Sequence, residues 1–414
     1  MVGLGYVGLP LTIALSKKFR VTGFDINKTR INQLKRGRDL TQEIKINKIF
    51  KRIKFTSNIF DCKNYNVYVV AVPTPVKKNN SPDLNPLNKA CKLVASVMKK
   101  NSVIIFESTV YPGCTEDYCG PILEKYSKLK LNKDFFLGYS PERINPGKTN
   151  YKINKIVKVT SGSNSKISRF VDNIYKKIIP AGTHLAPSIK VAEAAKVIEN
   201  TQRDINIAFI NELSILFNKI KIDTNEVLKA AATKWNFNKY YPGLVGGHCI
   251  GVDPYYLSYK AKILGLSSHL TLAGRKVNNY IPTYVFNNIK KELIFSKKKL
   301  NKSKVLILGA TFKENCPDFR NSKVFDIMEK LYLNKINFKV FDPYYSNNLI
   351  TNKKFKSKFF NRKIIGKFDI IVIALAHNYF KKMGIKKISK NLTLDGKIFD
   401  LKSIFSKKLT FFRL

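Results

Sequence analysis

Gly3, Gly5 and Gly8 open the chain in the pattern G-x-G-x-x-G, and few short patterns restrict a fold so tightly. The first glycine permits a tight turn, the second lets backbone approach a pyrophosphate, and the third lets a helix pack closely on a strand. Tyr6 and Val7 lie inside the pattern, just before the helical run Leu9 to Lys18, whose first N–H groups and positive dipole end suit a phosphate. Val21-Thr22-Gly23-Phe24-Asp25 then reads as a strand ending in an acid, 17 residues beyond Gly8, where a carboxylate would hydrogen-bond a ribose 2′-hydroxyl. That acid favours NAD over NADP, because it repels a 2′-phosphate, although Lys28 and Arg30 stand close by. Alone the glycines are a weak signal; with the helix, strand and acid around them they read as a dinucleotide site. Only Met1 and Val2 precede Gly3, so the central strand of such a sheet is almost absent from the chain. The expectation is a start further upstream or a first sheet short of its most buried strand.

Apolar runs at Val67–Val72, Val103–Phe106 and Phe135–Gly138 alternate with helical stretches, the mark of a doubly wound parallel sheet. From Ser188 to Phe217 a helical pattern runs without Gly or Pro; it would span roughly 45 Å. More helix follows to about Ile294. Beyond a lysine-rich stretch at 296–304, strand-like runs return at Val305–Leu308, Phe338–Phe341, Ile370–Ala374 and Ile398–Leu401. The chain therefore reads as α/β: two Rossmann-like doubly wound parallel-sheet domains, 1–187 and 297–414, joined by a long central helix and a helical region, 188–296.

The net charge of +47 raises nucleic-acid or membrane binding as alternatives. Only 12 of the 75 basic residues are Arg, whereas base and phosphate readers lean on Arg forks, and the lysines are dispersed among Asn and Ile without stacking aromatics. The charge reads as solvated surface that draws in an anionic substrate, and neither nucleic acid nor membrane is expected as a partner. No apolar run approaches membrane-span length and no leader is visible, and the six cysteines are scattered without metal-site spacing. A cytoplasmic enzyme without a metal is expected.

Chemistry concentrates in Gly246-Gly247-His248-Cys249-Ile250-Gly251-Val252-Asp253-Pro254. A thiol among glycines, with a carboxylate four residues on, can present a nucleophile to a close-fitting substrate; the alternative is an inert buried thiol. Lys196 and Asn200, one helical turn apart, make a donor pair suited to an oxyanion, against the alternative of an ordinary exposed lysine. Glu107-Ser108-Thr109-Val110-Tyr111-Pro112-Gly113 and Ser140-Pro141-Glu142-Arg143 follow strands, where such sheets place ligands. Glu142 is either a general base for hydrolysis or a loop salt bridge to Arg143. Tyr240, Tyr241 and Gly243 look like a ligand-covering loop, and Lys313 and Arg320 suit a diphosphate or a carboxylate.

Taken together these runs resemble the UDP-glucose/GDP-mannose dehydrogenase family over essentially the whole chain. Glu107–Gly113, Tyr139–Gly147, Val191–Arg203, Lys234–Phe237 and Pro242–Leu257 look most like its UDP-N-acetylhexosamine 6-dehydrogenases of capsule and O-antigen pathways. The resemblance implies a four-electron oxidation of the sugar C6 alcohol to the acid, with two NAD per turnover and a Cys249 thiohemiacetal and thioester. It gives Lys196 and Asn200 to the oxyanion, Asp253 to proton transfer, and Thr109 and Glu142 to water placement and thioester hydrolysis. It implies that Gly3, Gly5, Tyr6, Val7, Gly8, Asp25, Arg30, Thr74, Thr109 and Arg320 contact the cofactor. Glu142, Arg143, Lys196, Asn200, Tyr240, Tyr241, Gly243, Gly246 and Lys313 then contact the UDP-sugar. At least a homodimer is expected. UDP-N-acetylglucosamine is the first substrate choice; UDP-N-acetylgalactosamine, UDP-glucose and UDP-N-acetylmannosamine are alternatives. A single-oxidation dehydrogenase without the thiol and a degenerate or nucleic-acid-binding protein are competing readings.

Overall fold

The computed structural model describes residues 1–39, 52–142, 155–247, 250–347, 349–350 and 352–414. They form two compact units, Met1–Glu199 with Tyr255–Ser268, and Asn200–Pro254 with His269–Leu414. The central helical stretch is divided between them, because the helix Ile189–Lys219 passes from the first into the second.

In the first unit the strands are β1 (Thr22–Phe24), β2 (Lys54–Thr56), β3 (Val67–Val70), β4 (Ser102–Phe106), β5 (Phe135–Tyr139), β6 (Lys158–Gly162) and β7 (Thr183–Leu185). β1 pairs with β2, and β3 to β7 follow one another in order. The two groups are stitched together by Val2, in parallel bridges with both Phe24 and Val70. Val2 N–H donates to Val69 O at 2.7 Å, Ala71 N–H to Val2 O at 2.8 Å, and Gly3 N–H to Phe24 O at 2.9 Å. Val2 is thus a single bridging residue between β1 and β3. Val2 is buried, and the bulk of the core on either side comes from Leu4, Leu9, Ile31 and Phe55 and from Leu11, Val103, Ile105 and Val171.

The second sheet comprises β8 (Lys304–Leu308), β9 (Asn337–Phe341), β10 (Phe359–Phe360), β11 (Phe368–Ile373), β12 (Leu392–Asp400) and β13 (Phe412–Arg413). Its order is β10-β9-β8-β11-β12-β13, all parallel, which is the doubly wound arrangement with its switch point between β8 and β11. A sheet covered on both faces needs strands apolar on both faces, and Val305-Leu306-Ile307-Leu308 are all fully buried. Each such side chain contributes about 1.5–3 kcal/mol relative to exposure. Both halves are therefore α/β with largely parallel sheets, as the alternation of apolar runs requires.

Candidate active site

In the first unit Gly3 adopts φ +93°, and a Cβ there would sit 2.7 Å from Ala71 O. A Cβ on Gly8 would sit 1.8 Å from Gly3 O, so this glycine is fixed by helix-to-loop packing. Gly5 is the opposite case: nothing lies within 4 Å of where its Cβ would be. The helix Gly8–Ser16 has Val7 at its cap, whose side chain makes no capping hydrogen bond, and no acidic side chain in its first turn; Leu9 N–H donates back to Gly5 O at 3.2 Å. An open glycine beside an uncapped helix start is a cradle that fits a pyrophosphate. Asp25 accepts from Leu4 N at 2.9 Å and from Asn27 N at 2.9 Å, which holds the glycine loop against the end of β1. Each carboxylate oxygen has two acceptor positions, so these bonds are compatible with a hydroxyl partner. Arg30 donates to Leu4 O at 3.1 Å and to Asp39 at 3.0 Å, turning its guanidinium to its own loop. Thr74 Oγ1 donates to Thr109 O at 2.7 Å, and Tyr256 OH donates to Thr74 O at 3.0 Å, tying the loops after β3 and β4 together.

Residues that composition gave no reason to single out surround these loops. Glu193 is fully buried on the helix Ile189–Lys219, one turn before Lys196. Its carboxylate accepts from Gly113 N at 2.5 Å and Thr115 N at 2.8 Å, clamping the end of the Thr109 loop to that helix. Burial, only partly offset by hydrogen bonds from Thr115 and Gly113, pushes its pKa up to about 7. Lys158 is buried too, with its Nζ 2.5 Å from Glu107 Oε2 and 3.5 Å from Glu142 Oε2. Tyr175 OH donates to the other oxygen of Glu107. Burial raises Glu107 to about 7 against the pull of Lys158. A patterning signal existed only for Glu107, which opens a strand-end loop; a lone lysine among 75 basic residues carries none.

Lys196 is 5% exposed, so it is not the ordinary surface lysine of the bland alternative. In the second unit Asn200 and Asp253, 53 residues apart in sequence, meet: Asn200 Nδ2 donates to Asp253 Oδ2 at 2.6 Å, both residues being buried. Asp253 begins the helix Asp253–Ile263, immediately after the Cys249 segment. Cys249, His248 and Arg143 lie outside the described residues. The two glycines that precede His248 in sequence are tightly packed. A Cβ on Gly246 would meet Asn321 O at 2.3 Å; one on Gly247, at φ +88°, would meet the Phe312 ring at 2.6 Å. Gly247 N–H also donates to Asn321 O at 3.0 Å. Gly246 and Gly247 are thus pinned to the loop after β8 that carries Lys313 and Arg320.

Upstream, Asn211 holds Gly243 by both its backbone groups, accepting from Gly243 N at 2.8 Å and donating to Gly243 O at 3.1 Å. Asn211 also donates to Asn278, which donates to Asp204, which pairs with Arg275 at 2.6 Å. This buried polar chain ties the helices Ile189–Lys219 and His269–Phe295 to the Tyr240–Gly243 loop and was not legible as a site in the sequence. Tyr240 exchanges hydrogen bonds with Gln202, and Tyr241 is exposed. Arg320 is half exposed and engaged by Asp318 in its own loop, with contacts of 2.6 to 3.2 Å. Among the described residues no cluster suited to a metal ion is present, and no helix is long and apolar enough to cross a membrane.

Two glycine-turn α/β units, one with a dinucleotide cradle, and buried lysine, asparagine and carboxylate groups define a dehydrogenase-type architecture. The chain belongs to the UDP-glucose/GDP-mannose dehydrogenase family: the NAD binding domain matches residues 1–179, the central domain 190–280 and the UDP binding domain 306–407. It is 49% identical to a UDP-N-acetyl-D-glucosamine 6-dehydrogenase of Pseudomonas aeruginosa, over 100% of this chain and 98% of that protein. It is 46% identical to a UDP-N-acetyl-D-glucosamine 6-dehydrogenase of Salmonella typhi, over 94% of this chain and 92% of that protein. A solved UDP-D-ManNAc dehydrogenase from Pyrococcus horikoshii superposes with a TM-score of 0.86 at 27% identity, covering 98% of this chain and 95% of the other.

Proposed function

We propose that this chain is an NAD-dependent UDP-N-acetylglucosamine 6-dehydrogenase that carries the C6 alcohol to the acid through Cys249. The observation that carries the chemistry is the buried Asn200–Asp253 pair beside the Cys249 segment, one helical turn after buried Lys196. Full-length similarity to two enzymes of that name supports the substrate; identity to a UDP-N-acetyl-D-mannosamine dehydrogenase of Campylobacter jejuni is lower, 33%. Gly3, Gly5 and Gly8 would hold NAD, which would supply the hydride acceptor for the two oxidations.

The chain's own residues supply the rest. Cys249 adds to the C6 aldehyde carbon; its C–S bond persists through the second oxidation as a thioester. Lys196 and the Asn200 amide donate to the oxygen that bears charge at each tetrahedral stage, a service worth several kcal/mol in a water-poor site. Asp253, held by Asn200, takes and returns the alcohol proton. Thr109 and Glu142 place and deprotonate the water that cleaves the thioester. Lys313 and Gly246 would contact the UDP-sugar, and the family resemblance assigns Arg320 to the cofactor. The reading carries with it at least a homodimer and a cytoplasmic location.

The test is NADH formed per sugar with each UDP-sugar limiting. The expected result is two NADH per UDP-N-acetylglucosamine and an acid product; one NADH per sugar would remove the reason for Cys249. Cys249→Ser is expected to make no acid, since a hydroxyl is a far weaker nucleophile at neutral pH. Undiminished acid from that variant would refute the covalent step.

A further inference from the structure

We propose that Lys158 is a positioning residue for the hydrolytic half of the reaction, holding Glu142 and its loop where thioester cleavage needs a base. This rests on the reading of Glu142 as that base.

The topology explains why a lysine is found there. β6 pairs antiparallel with β5, with Gly138 opposite Gly162 and Tyr139 opposite Ser161. Among the described strands the other pairings are parallel. An antiparallel strand begins where its neighbour ends. Lys158, the first residue of β6, therefore lies past the carboxyl end of β5, the edge at which doubly wound sheets gather ligands. Glu107, directly after β4, and Glu142, three residues after β5, converge on the same edge.

The ammonium is caged. Its Nζ donates to Ser140 O at 3.2 Å and Pro141 O at 3.1 Å, besides facing Glu107 at 2.5 Å and Glu142 at 3.5 Å. It also stands 5.2 Å from the centroid of the Tyr175 ring. Two of these contacts are to the carbonyls of the two residues that precede Glu142, so the lysine fixes the backbone leading to Glu142 as well as its carboxylate. Glu107, locked by Tyr175, anchors the ammonium in turn. Burying a cation is costly unless each acceptor is well placed, and a single apolar residue would fill this space without that cost. The arrangement is explained if the charge is kept for Glu142. In the step concerned, water adds to the thioester carbonyl and gives one proton to Glu142. The C–S bond then breaks, the electron pair leaves with Cys249 sulfur, the remaining hydroxyl proton passes to that sulfur to restore the thiol, and the sugar carboxylate forms with no change in oxidation state.

The experiment follows pre-steady-state turnover of UDP-N-acetylglucosamine with excess NAD, reading the NADH burst and the intact mass of the protein. Lys158→Arg keeps the charge but replaces a compact ammonium by a planar fork that cannot meet the same four oxygens. Lys158→Gln removes the charge. The expected result is a burst close to that of the parent, followed by slowed steady turnover, roughly tenfold or more for Gln and less for Arg, with a sugar adduct on the protein in both. Turnover like the parent's without adduct in the Arg variant overturns the proposal, and does so even if the Gln variant fails to fold. Loss of the burst in proportion to turnover, again without adduct, overturns it in either variant. Glu142→Gln is run alongside. If it accumulates adduct while the Lys158 variants do not, the role of Lys158 falls and that of Glu142 stands. If Glu142→Gln accumulates none, the role of Glu142 falls and takes this proposal with it.

Discussion

Glu193→Gln gives the sharpest test of how the Thr109 loop is held, because the charge on Glu193 is expensive and its hydrogen bonds are not. The folded carboxyl titrates at about 7 against an ordinary value of 4.5. At roughly 1.4 kcal/mol for each pH unit of difference, ionising it in the folded state costs about 3 kcal/mol. The folded chain holds this proton more tightly than the unfolded chain, so stability is full below 4.5, declines as pH rises to about 7, and is flat beyond. A glutamine pays no ionisation cost at any pH, but its NH2 group faces one of the two N–H donors at Gly113 and Thr115. That mismatch costs about 1–3 kcal/mol, equally at acid and neutral pH. The variant should therefore be clearly less stable than the parent at pH 4.5. The gap should close, or reverse, by about 3 kcal/mol at pH 8. Urea denaturation of both proteins at the two pH values measures this difference of differences. A gap that is the same at both would refute the claim that Glu193 is buried as a strained carboxylate.

Gly5→Ala and Gly8→Ala should separate binding from folding, because a Cβ at Gly5 has 4 Å of clearance and one at Gly8 lands 1.8 Å from Gly3 O. The first is expected to lose NAD affinity, by fluorescence titration, with thermal stability unchanged; the second should lose both, and equal loss of stability in the two would sink the cradle assignment. Arg275→Met breaks a buried pair with Asp204 and strips one donor from the chain leading to Asn278 and Asn211. A loss of about 3–5 kcal/mol in urea unfolding is expected, and a loss under 1 kcal/mol would show that the pair is dispensable.

The glycine fingerprint, the acid ending β1 and the alternation of apolar runs were readable one residue at a time, because each depends on local sterics or on which face of a strand is buried. The same holds for the span of the central helix: read from Ser188 to Phe217, it runs from Ile189 to Lys219. Cys249 was conspicuous for its glycines, and Lys196 with Asn200 for their spacing. Other features became visible only in three dimensions. Val2 serves as a bridge between β1 and β3 because Phe24 and Val70 bracket it. Asp253 finds Asn200 across 53 residues. Glu193 and Lys158 look like two charges among many until burial is known. Backbone preference and side-chain periodicity act over a few residues and are written in the sequence. The value of a charge depends on the water removed from it and on the partners brought to it, and only the tertiary structure decides those.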